Sequence, residues 1–346
     1  MALVKTYNKN DKNEIEYFQR IFQSANINFL IGSGASKPAI NILGTIEFDL
    51  QQHIINRDEV SYYNLSESFL RGVWDATDIL LDRTYESSIY CFLKEFVNNV
   101  KTTQRNYIKF ISILENILIK RRTGLLPRRA NIFTTNYDLF IEDAATYRHN
   151  LILNDGFTHR KNIYNEYIYD SKSFYRSIYN TGNFYNYSIE LPTINLIKLH
   201  GSLSWKKEGD DVYYKIPPIK PIRFEDSQNQ KDWVNQHALV LPRKEKFKET
   251  VLENIYYDLL RTYSNELDKE GTLLIVFGFS FADEHIELLT KKALRNTTLK
   301  LMIFAYNESS TESYNDKFKD FANVEIVYLK DEDMDLEKFC SILEII

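Results

Sequence analysis

Cysteine is nearly missing from this chain of 346 residues: Cys91 and Cys340 are the only two. Two cysteines cannot form a four-cysteine zinc site or a disulfide framework, and a reducing interior is the natural setting for such a chain. Glycine and proline are scarce, at 11 and 7 residues, and there is no internal repeat or low-complexity tract. There is no basic excess either. Lys and Arg number 43 against 48 Asp and Glu, a net charge of -5, which argues against a dedicated nucleic-acid binder. No apolar run reaches the roughly 18 residues that span a bilayer, and the start turns polar at once without a signal-peptide core. The expectation is a soluble, cytoplasmic protein without membrane attachment. Hydrophobic residues at 44% and charged residues at 26% exclude disorder as the main state. Aromatic residues are abundant instead, with 24 Tyr and 22 Phe. Seven of the tyrosines lie between Tyr164 and Tyr187. They read as a partly buried aromatic layer in an irregular excursion, with a stacking wall for a ring-bearing ligand as the sharper alternative.

At about 150 residues per domain, the length suits two domains or one domain with a large insertion. Six short apolar runs have strand character: INFLI at 27–31, ANIFT at 130–134, INLIKL at 194–199, TLLIVF at 272–277, LKLMIF at 299–304 and VEIVY at 324–328. Near-continuous apolar runs of this length suit strands covered on both faces of a parallel sheet. Helical patterns lie between them, at 244–269 and 283–295, the second with acidic residues in its first turn. Strand–helix alternation predicts an α/β fold with helices on both faces of a parallel sheet. Residues 45–127 contain no strand and read as a helical insertion, with amphipathic runs at 86–96 and 107–119. Smaller excursions are expected at 145–193 and 203–243. The basic residues Lys120, Arg121, Arg122, Arg128 and Arg129 read as a solvated helix end, with contact to nucleic acid or an acidic partner as the alternative.

Ligands of open parallel sheets bind beyond the carboxyl ends of the strands, and those ends carry the chemistry here. Gly32-Ser33-Gly34-Ala35-Ser36 follows the first run; glycines there allow close approach of backbone amides to a phosphate. The loop does not match the P-loop, and Lys37 occupies the third glycine position of G-x-G-x-x-G, so hydride transfer is not expected. Thr135-Asn136-Tyr137-Asp138 follows the second run, and His200-Gly201 the third. Asn136 can donate to and accept from a sugar hydroxyl or a water, although Asn and Asp also close turns. Among six histidines, His200 alone ends a strand and precedes glycine, a suitable place for a proton acceptor near neutral pH. Gly278-Phe279-Ser280 follows the fourth run and Tyr306-Asn307 the fifth.

In this order the motifs resemble the sirtuin-type domain, whose divergent branch includes NAD-cleaving enzymes of bacterial antiviral defence. The resemblance implies a Rossmann-like NAD-binding catalytic domain over 1–44 and 128–346, with 45–127 inserted. It implies Asn136, His200 and Asp138 as catalytic residues. Gly32, Gly34, Ala35, Ser36 and Thr135 would bind the pyrophosphate and adjoining ribose, and Gly278, Ser280 and Asn307 the adenosine side. NAD+ would be a substrate. The four-cysteine module that follows the histidine in protein-deacylating sirtuins is missing between 202 and 242, so no zinc is expected and NAD-dependent deacylation is disfavoured. A non-catalytic NAD or ADP-ribose sensor is the remaining alternative. Trp205 and the run at 239–247 also resemble the defence branch. That branch implies antiphage action by NAD+ depletion, held off until homo-oligomerisation, a partner ATPase or a phage-derived trigger releases it.

Overall fold

The structure is a computed structural model that describes residues 1–8, 11–40, 44–82, 90–121, 126–182, 188–208, 211–216, 226–235, 237–239 and 251–345. Strand β1 (Leu3–Thr6) and helix α1 (Lys12–Ser24) precede β2 (Asn26–Ile31). Helices α2 (Gly44–Ile55), α3 (Glu59–Leu80) and α4 (Tyr90–Lys120) come next, followed by β3 (Arg129–Thr134), α5 (Phe140–Thr146) and β4 (Ile152–Asn154). Short strands fill the middle: β5 (Tyr167–Ile168), β6 (Tyr179–Thr181), β7 (Ser188–Glu190), β8 (Thr193–Lys198), β9 (Gly201–Glu208) and β10 (Asp211–Tyr214). After α6 (Ser227–Asn235) and β11 (His237–Leu239), the chain alternates regularly. It runs through α7 (Val251–Leu267), β12 (Thr272–Phe277), α8 (Glu284–Ala293), β13 (Lys300–Phe304), α9 (Glu308–Phe318), β14 (Val324–Tyr328) and α10 (Leu336–Leu343).

Eight strands form one parallel sheet in the order β1-β14-β13-β12-β2-β3-β8-β4. The six apolar runs of the sequence are its six inner strands. The edge strands β1 and β4 escaped the sequence reading because they are short and partly exposed. Side chains alternate between the faces, as strand geometry requires. Phe29, Ile132, Leu196 and Ile275 pack with Phe18, Phe110 and Phe339 from α1, α4 and α10. Leu30, Phe133, Ile197 and Val276 pack with Tyr263, Ile286 and Phe318 from α7, α8 and α9. The α/β class with helices on both faces is therefore present. A four-stranded antiparallel sheet, β11-β9-β10-β5, lies in the two excursions. The run expected near 107–119 and the described part of the run expected near 86–96, from Tyr90 on, belong to one helix, α4; residues 86–89 lie outside the described residues. The polar stretch between them turns inward: Thr103 Oγ1 donates to the Lys37 carbonyl at 3.3 Å and Gln104 Nε2 to Asp143 at 2.8 Å. Of the helix expected over 244–269 the described part is α7; the run at 239–247 lies outside the described residues beyond 239.

An asparagine ladder crosses one half of the sheet. Asn28, Asn131, Asn195 and Asn154 stand in register on β2, β3, β8 and β4. All four are buried. Asn131 Nδ2 donates to Asn28 Oδ1 at 2.7 Å, Asn195 Nδ2 to Asn131 Oδ1 at 2.8 Å, and Asn154 Nδ2 to Asn195 Oδ1 at 2.9 Å. Second bonds satisfy the remaining hydrogens: Asn131 to Glu266 at 3.1 Å, Asn195 to the Phe174 carbonyl at 3.2 Å and Asn154 to the Ser173 carbonyl at 2.9 Å. A buried amide without partners is costly, so one register is favoured over its neighbours.

The chain proceeds from β2 through β3 to β8 on one side, then returns to the other edge of β2 as β12. At this switch point the loops after β2 and β12 touch backbone to backbone. Gly32 N donates to the Phe277 carbonyl at 3.0 Å and Gly34 N to the Gly278 carbonyl at 2.9 Å. A Cβ on Gly32 would sit 2.4 Å from the Gly278 carbonyl oxygen, and one on Gly278, at φ 66°, 2.5 Å from Ala35 N. No larger residue fits this contact.

Asn131→Leu leaves Asn28 Oδ1 without its donor and should lower stability by about 1–3 kcal/mol, read from the urea midpoint. Gly278→Ala should cost about 1–3 kcal/mol or more. Gly72→Ala, in open space on α3, should be stabilising by about 0.5–1 kcal/mol. Equal melting shifts for the two glycine variants would show that the loop contact carries no strain.

Candidate functional site

A cavity of about 250 Å³ opens at the switch point, on the carboxyl edge of the sheet. Five of the residues singled out in the sequence line it: Gly34, Thr135, His200, Gly278 and Ser280. His200 follows β8, where the chain leaves the parallel sheet for β9 through Gly201 at φ 83°, a conformation that favours glycine. Its Nε2 lies 2.9 Å from Asp283 Oδ2. Burial pushes the Asp283 carboxyl up, but the His200 hydrogen bond, with the amides of Ile286 and His285, holds it below the usual carboxylate range. Lys37 Nζ lies over the Tyr306 ring, 5.6 Å from its centroid, and both residues line the cavity.

A second, smaller cavity of about 10 Å³ adjoins the first, with Ser33 on both; it has room for about one water-sized group. Ser36, Asn136 and Asp138 line it. Asn136 is held tightly. Its Nδ2 donates to the Gly32 carbonyl and to Ser36 Oγ, each at 3.1 Å, and its own amide donates to Thr134 Oγ1 at 3.0 Å. Its Oδ1 is buried without a partner among the described residues. Ser36 Oγ donates to Asp138 Oδ2 at 2.7 Å and lies 3.0 Å from the Tyr107 hydroxyl of α4. The serine proton is committed to the carboxylate, so Tyr107 donates to Ser36. Burial raises the Tyr107 hydroxyl well above its ordinary range, with Asp138 adding to the rise, which keeps it a donor. Burial also raises Asp138, while the Lys198 charge and Ser36 draw it back. Lys198 Nζ bonds the Asp138 carbonyl and lies 3.0 Å from Glu142 Oε1. Burial raises Glu142 as well, against the same lysine.

The expected residues therefore divide. His200 and Thr135 line the large cavity, and Asn136, Asp138 and Ser36 the small one beside it. Gly32 and Ala35 line neither; the amides of Gly32, Gly34 and Ala35 are bonded to protein carbonyls. Asn307 caps α9, its Oδ1 accepting from Ser310 N at 3.1 Å and its Nδ2 donating to Asp333 at 3.2 Å. Its neighbour Tyr306 faces the cavity instead.

Asp283, Lys198, Tyr107 and Glu142 were not found from sequence. Asp283 reads locally as a helix cap, and Lys198 as one polar residue in an apolar run. Tyr107 reads as one apolar position on a helix. Only the fold joins them to the motifs. Of the seven tyrosines between 164 and 187, Tyr169 packs inward, where Phe157 meets Tyr169, Trp205 and Tyr214 edge to face with centroids 5.5–5.9 Å apart; Tyr164, Tyr175 and Tyr179 are exposed, and Tyr185 and Tyr187 lie outside the described residues. Within the basic cluster, Lys120 is exposed at the end of α4 as expected, but Arg121 turns inward. Arg121 is buried, and its guanidinium bonds the Phe22 carbonyl at 3.0 Å and the Pro127 carbonyl at 3.2 Å; Arg122 lies outside the described residues. Among the described residues, no three His, Cys, Asp or Glu side chains converge to hold a metal ion, and no helix is long and apolar enough to cross a membrane.

Curated protein sequences give no match. Among solved structures, one described as Sir2Tm bound to a propionylated peptide aligns with 95% of this chain and 96% of that chain, at 15% identity and a TM-score of 0.41. The family described as SIR2-like domain matches residues 130–327. That span covers more than half of the chain and includes Asn136, His200 and Gly278, and the chain belongs to the SIR2-like domain family.

Proposed function

We propose that the protein is an NAD+ glycohydrolase, releasing nicotinamide and leaving ADP-ribose. The observation that carries this reading is Asn136. Its buried side-chain amide is fixed by two hydrogen bonds and its backbone N–H by a third, and Oδ1 has no partner among the described residues, beside the cavity that His200 lines. An acceptor held in that way suits a ribose hydroxyl or an attacking water.

The bond between ribose C1′ and the positively charged nicotinamide breaks to give a neutral leaving group and an oxocarbenium-like centre, as in glycoside hydrolysis. The leaving group needs no proton, so no acid is required. Asn136 would orient the ribose and the water. His200 would accept a proton from a ribose hydroxyl or from that water. Asp138, held between Ser36 and Lys198, would keep Asn136 in place through Ser36. Gly34, Gly278 and Ser280 would border the dinucleotide. The amides of Gly32, Gly34 and Ala35 are bonded to protein carbonyls, so the loop would border the pyrophosphate chiefly through its close packing and the hydroxyl of Ser33. The missing four-cysteine module favours hydrolysis over deacylation. A cytoplasmic role in antiphage defence by NAD+ depletion follows from the same resemblance, with an off state released by homo-oligomerisation, a partner ATPase or a phage-derived trigger.

The test is product analysis of the full chain with NAD+, alone and with candidate partners, alongside mass measurement of the assembly. Free nicotinamide with ADP-ribose is the expected result, and dependence on an acylated peptide would replace it with deacylation. Asn136→Ala and His200→Ala should each lower nicotinamide release by about 10²–10⁴-fold without loss of the folded state by circular dichroism. Undiminished turnover in both variants would remove the assignment.

A further inference from the structure

We propose that Asp283 is a positioning residue for His200, holding the imidazole with its proton on Nε2 and leaving Nδ1 as the proton acceptor of the site. The proposal rests on the reading of His200 as the base of NAD cleavage, and it adds the group that makes one ring nitrogen basic.

The pair is 83 residues apart in sequence and 2.9 Å apart in space. Both side chains are largely shielded, at 15% and 19% exposure, so their hydrogen bond is only partly screened by water. The two oxygens of Asp283 have separate tasks. Oδ1 accepts from His285 N at 2.9 Å and Ile286 N at 3.2 Å, capping α8. Oδ2 is left for His200. An ionised carboxylate only accepts, so the shared proton belongs to Nε2, and neutral imidazole then has its lone pair on Nδ1. The low-lying titration of the Asp283 carboxyl agrees with this division.

The carboxylate is also held rigidly. Between Gly278 and Asp283 the chain passes through Phe281, fully buried with φ 55°, an unfavourable conformation that persists where surrounding contacts impose it. Those contacts come from α9: the Tyr314 hydroxyl donates to the Phe279 carbonyl at 3.0 Å, and Lys317 Nζ to the Phe281 carbonyl at 2.9 Å. His200 arrives from the other side of the switch point, where Leu199 N bonds the Thr134 carbonyl at 2.8 Å. The other titratable side chains lining the cavity are Lys37, Tyr306 and Tyr314, and none is a carboxylate. On α8, Glu287 is taken by Lys291 and Lys317.

The experiment uses the full chain labelled with ¹⁵N-histidine, with His200→Gln to assign the resonance. Nitrogen shifts near neutral pH should show His200 as the Nε2–H tautomer. Asp283→Asn keeps an oxygen for the cap but presents an amide donor to Nε2, so the tautomer should reverse to Nδ1–H. Turnover of NAD+ should fall about 10²–10⁴-fold in kcat with KM little changed. Asp283→Ser, which also retains a cap, should lose turnover similarly while its melting temperature stays close to that of the parent. A parent in the Nδ1–H form, an unchanged tautomer in Asp283→Asn, or an unchanged kcat after reversal would each overturn the proposal. If the parent showed no NAD+ turnover under any condition, the proposed activity would fall, and the nitrogen shifts would still decide the pairing.

Discussion

In a sheet of apolar strands buried on both faces, side-chain burial alone discriminates poorly between registers. A shift by two residues returns every apolar side chain to the same face. Four asparagines remove that freedom here. Each Nδ2 in β3, β8 and β4 donates to the asparagine of the preceding strand in the ladder, and a shift of any one strand would bury unpaired amides. Each lost partner costs about 1–3 kcal/mol, enough to select a single alignment. The register then fixes the level at which the strands end. Gly32, Thr135 and His200 follow β2, β3 and β8 within two residues of their ends, so the ladder at the middle of the sheet determines which side chains share its carboxyl edge.

Two environments meet along that edge, and they suit different work. Asn136, Asp138, Ser36 and Tyr107 form a desolvated network in which every donor direction is determined. Tyr107 donates to Ser36, Ser36 donates to Asp138, and Asn136 donates to Ser36 and Gly32. Lys198 balances two buried carboxyls, Asp138 and Glu142, because a buried acid without a cation would protonate instead. Such a network fixes an amide but exchanges protons poorly. His200 and Asp283 are less buried, where an imidazole can pass a proton to a ligand or to water. On the proposed reading, Asn136 and Asp138 at the small cavity would position the ligand and His200 at the large one would accept the proton, a division that follows the two environments.

What could be read from sequence is what local pattern carries. INFLI, ANIFT and TLLIVF are strands because their apolar runs are short and bounded by small or polar residues. The histidine was found because a strand end and a glycine flank it. Even so, the asparagine inside three of the runs passed as incidental, since a ladder exists only once the strands are neighbours. Asp283 was hidden in the same way: at the start of α8 it serves as an ordinary cap, and only the fold brings its second oxygen to an imidazole 83 residues away. The glycine loops show the reverse. Their positions were legible, yet the close approach of the partner loop, which puts the Gly278 carbonyl oxygen 2.4 Å from a Cβ on Gly32, shows only once the strands are neighbours.

Helix α4 joins the helices between β2 and β3 to the site. Its Phe110 and Leu114 pack into the same core as Phe29 and Ile132 of the sheet, and Tyr107 lies stacked on Phe140 of α5 at 5.3 Å. The Tyr107 hydroxyl then extends one hydrogen bond to Ser36, which is bonded to both Asn136 and Asp138. Helix α4 is thus coupled to the site through a buried polar contact as well as through apolar packing. Apolar packing tolerates small shifts at modest cost, whereas a buried hydroxyl displaced from its partner loses the bond outright. The placement of α4 is therefore transmitted to Asn136 through Ser36, and the polar contact makes the site more sensitive to that placement than core packing alone would.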